Sequence, residues 1–358
     1  MSLRDNVINA SGGWTDAAAP ETDVVVSSRV RVARNMAGRP FPHCLSSEEA
    51  QQVIEQVRLA IASTGFMSGE GRFVLIKMAE LTPVERQILV EKHLISPDLL
   101  NSPEKKAVVL SDDELISIMI NEEDHLRIQC LMPGLQVLRA WDLVNGIDDS
   151  MEKQIEYAFS GTMGYLTTCP TNVGTGLRAS VMVHLPGLTL VGQLKGVLTM
   201  VSKLGLAVRG LYGEGTEASG NFFQVSNQIT LGHAEEDIVN NLVLVTRQIL
   251  AQERAAREAL LSERREQLED KVGRAYGVLR HARLITADEA MRLLSDLRLG
   301  AYLDLIQGLP PHLVTELMLL SRPAFLLRMA GKELNPFQLN VQRSNLIRQK
   351  LAELSGGE

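Results

Sequence analysis

Aromatic residues make up only 4% of this 358-residue chain. That scarcity argues against a nucleic-acid platform built by stacking bases on rings. Positive charge is also short, with 36 Lys and Arg against 43 Asp and Glu and a net charge of −7. Non-specific binding to DNA or to an anionic membrane needs the opposite sign. The three cysteines, Cys44, Cys130 and Cys169, lie far apart and form no CxxC pair. A disulfide framework and a cysteine zinc site are thereby excluded, and a reducing cytoplasm is the expected compartment. No apolar run reaches about 18 residues, so no membrane span is expected, and the N-terminus lacks the apolar core of a signal peptide. Gly331-Lys332 runs into Glu333 without an upstream glycine, so there is no P-loop. Gly213-Glu214-Gly215 imitates part of a dinucleotide fingerprint but leads into the strand-like GNFFQVSNQI, not a helix.

What is present is ordinary in bulk and uneven in distribution. Hydrophobic residues are 45% and charged residues 22%, as in a soluble globular protein long enough for two domains. Residues 251–358 carry 16 Lys and Arg against 14 Asp and Glu, while the first 250 carry 20 against 29. The acidic N-terminal part would suit a cationic substrate, and a solvated acidic surface explains the charge equally well.

Residues 1–22 are rich in Gly, Ala and Ser and read as a loose arm. Ser46-Ser47-Glu48-Glu49 has the form of a capping box opening a helix to about Ser63. RFVLIKMA (72–79) reads as a strand, and Pro83 opens a helix to about Ile95. AVVL (107–110) and two strands around NEEDH follow, then a helical period over 135–159. ASVMVHL (179–185) reads as a strand, 187–204 as a helix, 206–215 as a strand ending in glycines, and 220–232 alternates again. Several neighbouring strands are joined by loops too short for a crossover. The expected fold is therefore α+β, a mixed or antiparallel sheet backed by helices. Residues 235–270 read as one long amphipathic helix, and the remainder as a helical bundle broken at Gly273, Gly300, Pro310-Pro311, Pro323 and Gly331.

Arginine recurs at strand ends and turns. Arg29 and Arg31 alternate in SSRVRVAR, which puts them on one side of an extended segment. Arg127 follows the acidic turn, Arg178 follows CPTNVGTGL, and Arg209 precedes GLYGEG. Each singly reads as a surface residue. Together they suggest a convergent site, because guanidinium donors match phosphate oxygens and could hold a triphosphate without a P-loop. Glu123 and Glu214 both stand where a strand gives way to a turn. Two such carboxylates can receive the planar donor fork of a guanidinium, although solvated turn acids would look the same. Cys169, before Pro170, is either a buried small residue or a thiolate beside a cation.

SSRVRVAR, NEEDHLRI, CPTNVGTGLRAS and VRGLYGEGTEA, in this order, resemble the ATP:guanidino phosphotransferases, the family of arginine and creatine kinases. The resemblance runs over roughly residues 24–250. LVEKHLISP, NQITLGHAEEDIV and ILAQERAAR, with a C-terminal helical region, are similar to the bacterial branch that phosphorylates arginine residues of proteins. The resemblance implies a guanidino-kinase catalytic domain over 23–255 and a dimerisation and regulatory helical domain over 256–358. It implies Mg2+ and ATP, with no protein metal site. Glu123, Glu214 and Cys169 take the catalytic positions. The nucleotide falls to Ser27, Ser28, Arg29, Val30, Arg31, His93, Arg127, Arg178, Ala179, Ser180, Val181, Met182, Arg209, Gly210, Leu211, Tyr212 and Gly213. It further implies protein substrates including the repressor CtsR, the protease ClpC–ClpP, an activator McsA and a homodimer, with no nucleic acid or membrane. A phosphagen kinase of free arginine or a related small guanidine, and a non-catalytic adaptor of the same fold, are the alternatives. One departure stands out: where that branch carries Arg-Asp-x-x-Arg-Ala as a phosphoarginine pocket, this chain has LNVQRS, so Leu339 and Asn340 replace the first pair and Arg343 remains.

Overall fold

The computed structural model describes residues 13, 18–63, 73–210 and 219–354. The packing divides the chain into two units that interleave along the sequence. Of the described residues, the first comprises 13, 27–63, 73–181 and 226–244, and the second 18–26, 182–210, 219–225 and 245–354.

The first unit is organised on a sheet. Its strands are β1 (Val25–Arg34), β2 (Phe73–Lys77), β3 (Ala107–Ser111), β4 (Ile116–Ile120), β5 (Leu126–Pro133) and the start of the strand Leu177–His184. Within this unit they lie in the order β2, β3, β4, β5, β1 and then 177–184. The pairs β2/β3, β3/β4, β4/β5 and β5/β1 are antiparallel. Every residue of β3 and β4 is buried, as expected for central strands covered on both faces. In β1, Arg29 and Arg31 are half-buried while Val30 and Val32 on the other face are fully buried. The alternation read from the sequence is thus realised.

Helix α1 (Ser47–Ser63) covers β4, and α2 (Pro83–Glu91) leads towards β3. The capping box is present: Ser46 Oγ accepts from Glu49 N–H at 3.2 Å and Glu49 Oε2 accepts from Ser46 N–H at 2.8 Å. Helix α2 stops at Glu91, short of the expected Ile95. His93 takes a left-handed conformation (φ 60°) there, and Lys92 is drawn into a buried ion pair with Glu114 at 2.5 Å. The period over 135–159 yields only α3 (Val137–Glu152), which packs on β5. Arg34, at the end of β1, also ties this helix to the sheet. Its guanidinium bonds Asp148 of α3 at 2.5 and 2.9 Å and lies 3.5 Å from the centroid of the Tyr165 ring. Tyr165 belongs to a hairpin of β6 (Phe159–Ser160) and β7 (Gly164–Tyr165).

The second unit takes the end of β8 (Leu177–His184), then α4 (Pro186–Leu190), α5 (Leu194–Lys203), β9 (Leu206–Gly210) and most of β10 (Phe222–Asn227). The single helix expected over 187–204 is two, separated at Gly192, whose φ is 75°. Residues 211–215, the second half of the strand expected over 206–215, lie outside the described residues.

The long helix expected over 235–270 is likewise two, α6 (Glu235–Glu263) and α7 (Arg265–His281), with Arg264 non-helical between them. No Gly or Pro marks this break in the sequence. Packing makes it: Leu260, before the break, and Leu268 and Val272, after it, join one buried cluster with Leu299. Helix α8 (Ala287–Tyr302) is capped by Thr286, whereas prolines do open α9 (Pro311–Leu320), α10 (Pro323–Ala330) and α11 (Pro336–Glu353). Gly273 and Gly300 break nothing. They sit inside α7 and α8, and a Cβ on Gly300 would lie 2.3 Å from Val272 Cγ1. The glycine lets two helices approach closely.

Candidate active site

In the first unit a cavity of about 180 Å³ is walled by Arg31, Val32 and Ala33 of β1, Glu123 of the turn, Arg127 of β5, Cys169, Thr171, Asn172 and Gly176 of one loop, and Arg178 of β8. Strand pairing accounts for the convergence. In the β1/β5 register Arg31 lies opposite Gln129 and Ala33 opposite Arg127, so alternation brings Arg31 and Arg127 to one face near the turn. Arg178 arrives on β8, beside β1 in the sheet, where its Nη2 donates to Ser226 Oγ at 3.3 Å. Gly176 lets the loop close on β1: at φ 65°, a Cβ there would meet Ala33 O at 2.6 Å.

Electrostatics make this a receptor for negative charge. Burial lowers the pKa of Arg31, and the cationic neighbours Arg29, Arg127 and Arg178 lower it further, while Glu122 opposes them. Arg31 Nε is buried without a hydrogen-bond partner among the described residues. Guanidiniums kept this close repel one another. An anion with several oxygens would relieve that repulsion and accept from Arg31 Nε.

The acidic turn divides its labour. Asn121 turns the chain at φ 57° and its N–H donates to His125 O at 3.0 Å. Glu122 points inward with a side chain 1% exposed, and both its oxygens accept from Arg127 Nη1 at 2.7 Å. Its Oε1 also accepts from Ser96 Oγ at 2.5 Å, and its Oε2 from the Glu123 N–H at 2.9 Å. Glu122 therefore aims the arginine and holds the backbone of the next residue. Glu123 points into the cavity, its carboxylate 3.6 Å from Arg127 Nη2. Burial raises its pKa, Arg127 works against the rise, and Asp124 and Glu122 add to it. Asp124 is buried, and its Oδ1 accepts from Asn35 Nδ2 and from Thr168 N–H, each at 2.7 Å. That ties the turn to the loop that presents Cys169, whose thiol lies 3.0 Å from Thr171 Oγ1.

The residues named from the sequence fall into several groups. Arg31, Arg127, Arg178, Glu123 and Cys169 are brought together. Ser28 is occupied structurally, its hydroxyl donating to Gly134 O and accepting from Gln136 N–H. Ser27 is buried, Val30, Ala179, Ser180 and Val181 are buried within their strands, and Met182 is half-buried. Arg29 is half-buried on the Arg31 side of β1. His93 gives its carbonyl to Gln129 Nε2 at 2.9 Å and does not line the cavity. Arg209 is exposed and Gly210 half-buried on β9 of the second unit. Leu211, Tyr212, Gly213 and Glu214 lie outside the described residues. Glu122, Asp124, Asn35 and Ser96 were not anticipated. The run of three acids was the one signal, and nothing in it told which acid faces inward.

Guanidiniums carried on the sheet thus face a carboxylate and a thiol, the set of groups that phosphoryl transfer between a nucleotide and a guanidine would need. The chain belongs to the ATP:guanido phosphotransferase family: the sequence model of that family's C-terminal catalytic domain matches residues 52–256. A second model, the protein-arginine kinase McsB C-terminal domain, matches residues 265–358. A protein-arginine kinase of Pelotomaculum thermopropionicum is 59% identical over 354 residues, covering 99% of each chain. The Bacillus subtilis protein-arginine kinase is 48% identical over 357 residues, covering 99% of this chain and 98% of its own. Among solved structures, a lombricine kinase matches at TM-score 0.56 and 27% identity over 71% of both chains. The duplicated taurocyamine kinase of Schistosoma mansoni, with transition-state-analogue components bound, shares the fold at TM-score 0.59 and 24% identity, over 74% of this chain and 39% of its own.

Proposed function

We propose that the protein transfers the γ-phosphoryl group of ATP to a guanidino nitrogen of arginine side chains in proteins. The observation that carries this is the meeting of Arg31, Arg127 and Arg178 with Glu123 and Cys169 around one cavity. The near-full-length likeness to protein-arginine kinases supports the choice of a protein substrate.

A guanidinium is a weak nucleophile because it is protonated and delocalised. One of its nitrogens attacks the γ-phosphorus; the N–P bond forms, the bond from phosphorus to the ADP oxygen breaks, and the nitrogen loses a proton. Glu123 fits the role of clamp and proton acceptor, since burial raises its pKa towards the working range of a general base. Glu214 is proposed as the second clamp on the family match alone. Cys169 would position the guanidinium. The arginines would bind the phosphate oxygens and offset charge on the transferring group, with Mg2+ arriving on the nucleotide as part of the substrate.

By the same family resemblance, 23–255 is read as the catalytic domain and 256–358 as a helical domain for dimerisation and control, a division supported by the two matched models. The proposed setting is the cytoplasmic heat-shock response and protein quality control. CtsR would be a substrate, McsA an activator, and ClpC–ClpP the protease receiving the marked proteins.

The test is to incubate the chain with Mg-ATP and either an arginine-rich protein or free arginine, and to follow acid-labile phosphate and phosphoramidate signals by 31P NMR. Phosphoarginine on the protein is the expected result. Product on free arginine alone would replace this reading with a small-molecule kinase. Nucleotide binding without turnover on either would replace it with an adaptor.

A further inference from the structure

Four large apolar side chains stand exposed on two segments of the first unit: Phe159 at 59%, Met163 at 48%, Ile229 at 53% and Leu231 at 52%. Both segments are fastened to the loop that supplies Cys169, Thr171, Asn172 and Gly176 to the cavity. On one side Tyr165 N–H donates to Gly174 O at 2.8 Å and Gly174 N–H to Tyr165 O at 3.3 Å. Phe159 pairs with Tyr165 across the β6/β7 hairpin, the rings edge to face with centroids 5.2 Å apart. On the other side Thr230 Oγ1 donates in a bifurcated bond to Val173 O at 2.7 Å and Thr171 O at 3.0 Å, while Thr175 N–H donates to Thr230 O at 2.9 Å. The two apolar segments thus flank one wall of the cavity.

Apart from the Phe159–Tyr165 ring contact, the fastening of these segments is polar. The hairpin tip between Phe159 and Tyr165 is otherwise Ser160, Gly161, Thr162 and Gly164, which can form a turn unaided. Thr230 anchors its segment through polar bonds, so Ile229 and Leu231 are not its fastening. Exposed apolar groups fastened on either side of one cavity-lining loop are candidates for an interaction surface. A cavity of about 180 Å³ takes a side-chain head group but not a stretch of polypeptide. The backbone on either side of a bound arginine must therefore pass over the rim.

We propose that Phe159, Met163, Ile229 and Leu231 form an apolar rim that docks large apolar side chains flanking the target arginine of an unfolded polypeptide segment. The proposal rests on the kinase reading above and names its substrate class. Continuity with the cavity wall selects this occupant. An arginine seated there holds its sequence neighbours at the rim, and arginines with large apolar neighbours become accessible when a chain unfolds.

The test compares two peptides of equal net charge, one with Leu and Phe around a single arginine and one with Ser and Asn there. Fluorescence anisotropy gives the affinity of each, and phosphoarginine formation at saturating Mg-ATP gives kcat/KM. The parent chain is expected to favour the apolar peptide about tenfold, through KM and Kd, a ratio equal to about 1.4 kcal/mol of partial apolar burial. F159S/M163S/I229S/L231S should lose that preference while keeping its KM for ATP and its Tm, and I229S/L231S alone should lose part of it. Phosphorylation of both peptides without preference by the parent chain would overturn the rim. So would a preference kept by the fourfold variant with its sedimentation altered, which would make the surface one for a second copy of this chain. Preferential binding of the apolar peptide without phosphorylation would uphold the rim and overturn the kinase reading instead.

Discussion

Glu122→Gln isolates what the buried acid of the turn contributes. In the parent, Glu122 binds Arg127 Nη1 with both oxygens at 2.7 Å and also holds Ser96 and the Glu123 N–H. The amide keeps the shape but loses the charge and turns an NH2 donor towards a guanidinium or a hydroxyl. Removing one partner of a buried charged pair costs about 3–5 kcal/mol, and a hydrogen bond to a charged group is worth about 1.5–3 kcal/mol. Arg127 is 15% exposed, so solvent recovers part of this and about 1–3 kcal/mol is expected. If that loss falls on the positioning of Arg127 and Glu123, kcat/KM drops roughly 5- to 150-fold. A second readout separates positioning from general damage. Glu122 raises the Glu123 pKa, so its neutralisation should move the acid limb of the kcat/KM profile to lower pH. The assay is phosphoarginine formation across pH with Tm measured in parallel. Parental kcat/KM with an unmoved acid limb would refute the assignment, as would a loss fully explained by unfolding.

Further outcomes follow from the same geometry. In the parent chain, activity should fall as pH drops through a pKa above the ordinary glutamate value of 4.5, because burial raises the Glu123 pKa; E123Q should abolish turnover while Kd for ATP, read by calorimetry, changes little. Burial holds His125 neutral with its pKa lowered to about 4 from 6.5. The unfolded chain takes the proton first, so this stability is full above pH 6.5 and is lost as pH falls towards 4. The loss amounts to about 3 kcal/mol, and H125N should show a flatter dependence of urea midpoint on pH over that window. Gly300→Ala would press a methyl against Val272, at a cost of about 1–3 kcal/mol from overpacking. G300A/V272A should recover part of that loss in thermal melts.

Arg343 shows why a substituted motif needs the structure. Its Nε donates to Ser321 O at 2.9 Å, and its Nη1 to Ile285 O at 3.0 Å and Asn340 Oδ1 at 2.7 Å. Asn340 remains a partner of the arginine, though a neutral one. The side chain is 2% exposed and serves to tie α11 to two preceding segments. That role is invisible in LNVQRS read as a string.

The sequence by itself determined what depends on neighbours along the chain. Period-two alternation put Arg29 and Arg31 on one face, Ser46 and Glu49 formed their capping box, and the prolines opened helices at Pro83, Pro311, Pro323 and Pro336. Each of these is settled within about one turn of backbone. Only the tertiary structure decided which acid of Glu122-Glu123-Asp124 faces Arg127, which the cavity and which the Asn35–Thr168 network, because alternation is lost in a turn and the partners lie up to 89 residues away. It also decided that Arg264, with no breaker beside it, interrupts a helix while Gly273 and Gly300 do not. Burying Leu260 with Leu268, and seating one helix against Val272, outweighs the weak local preferences of those residues.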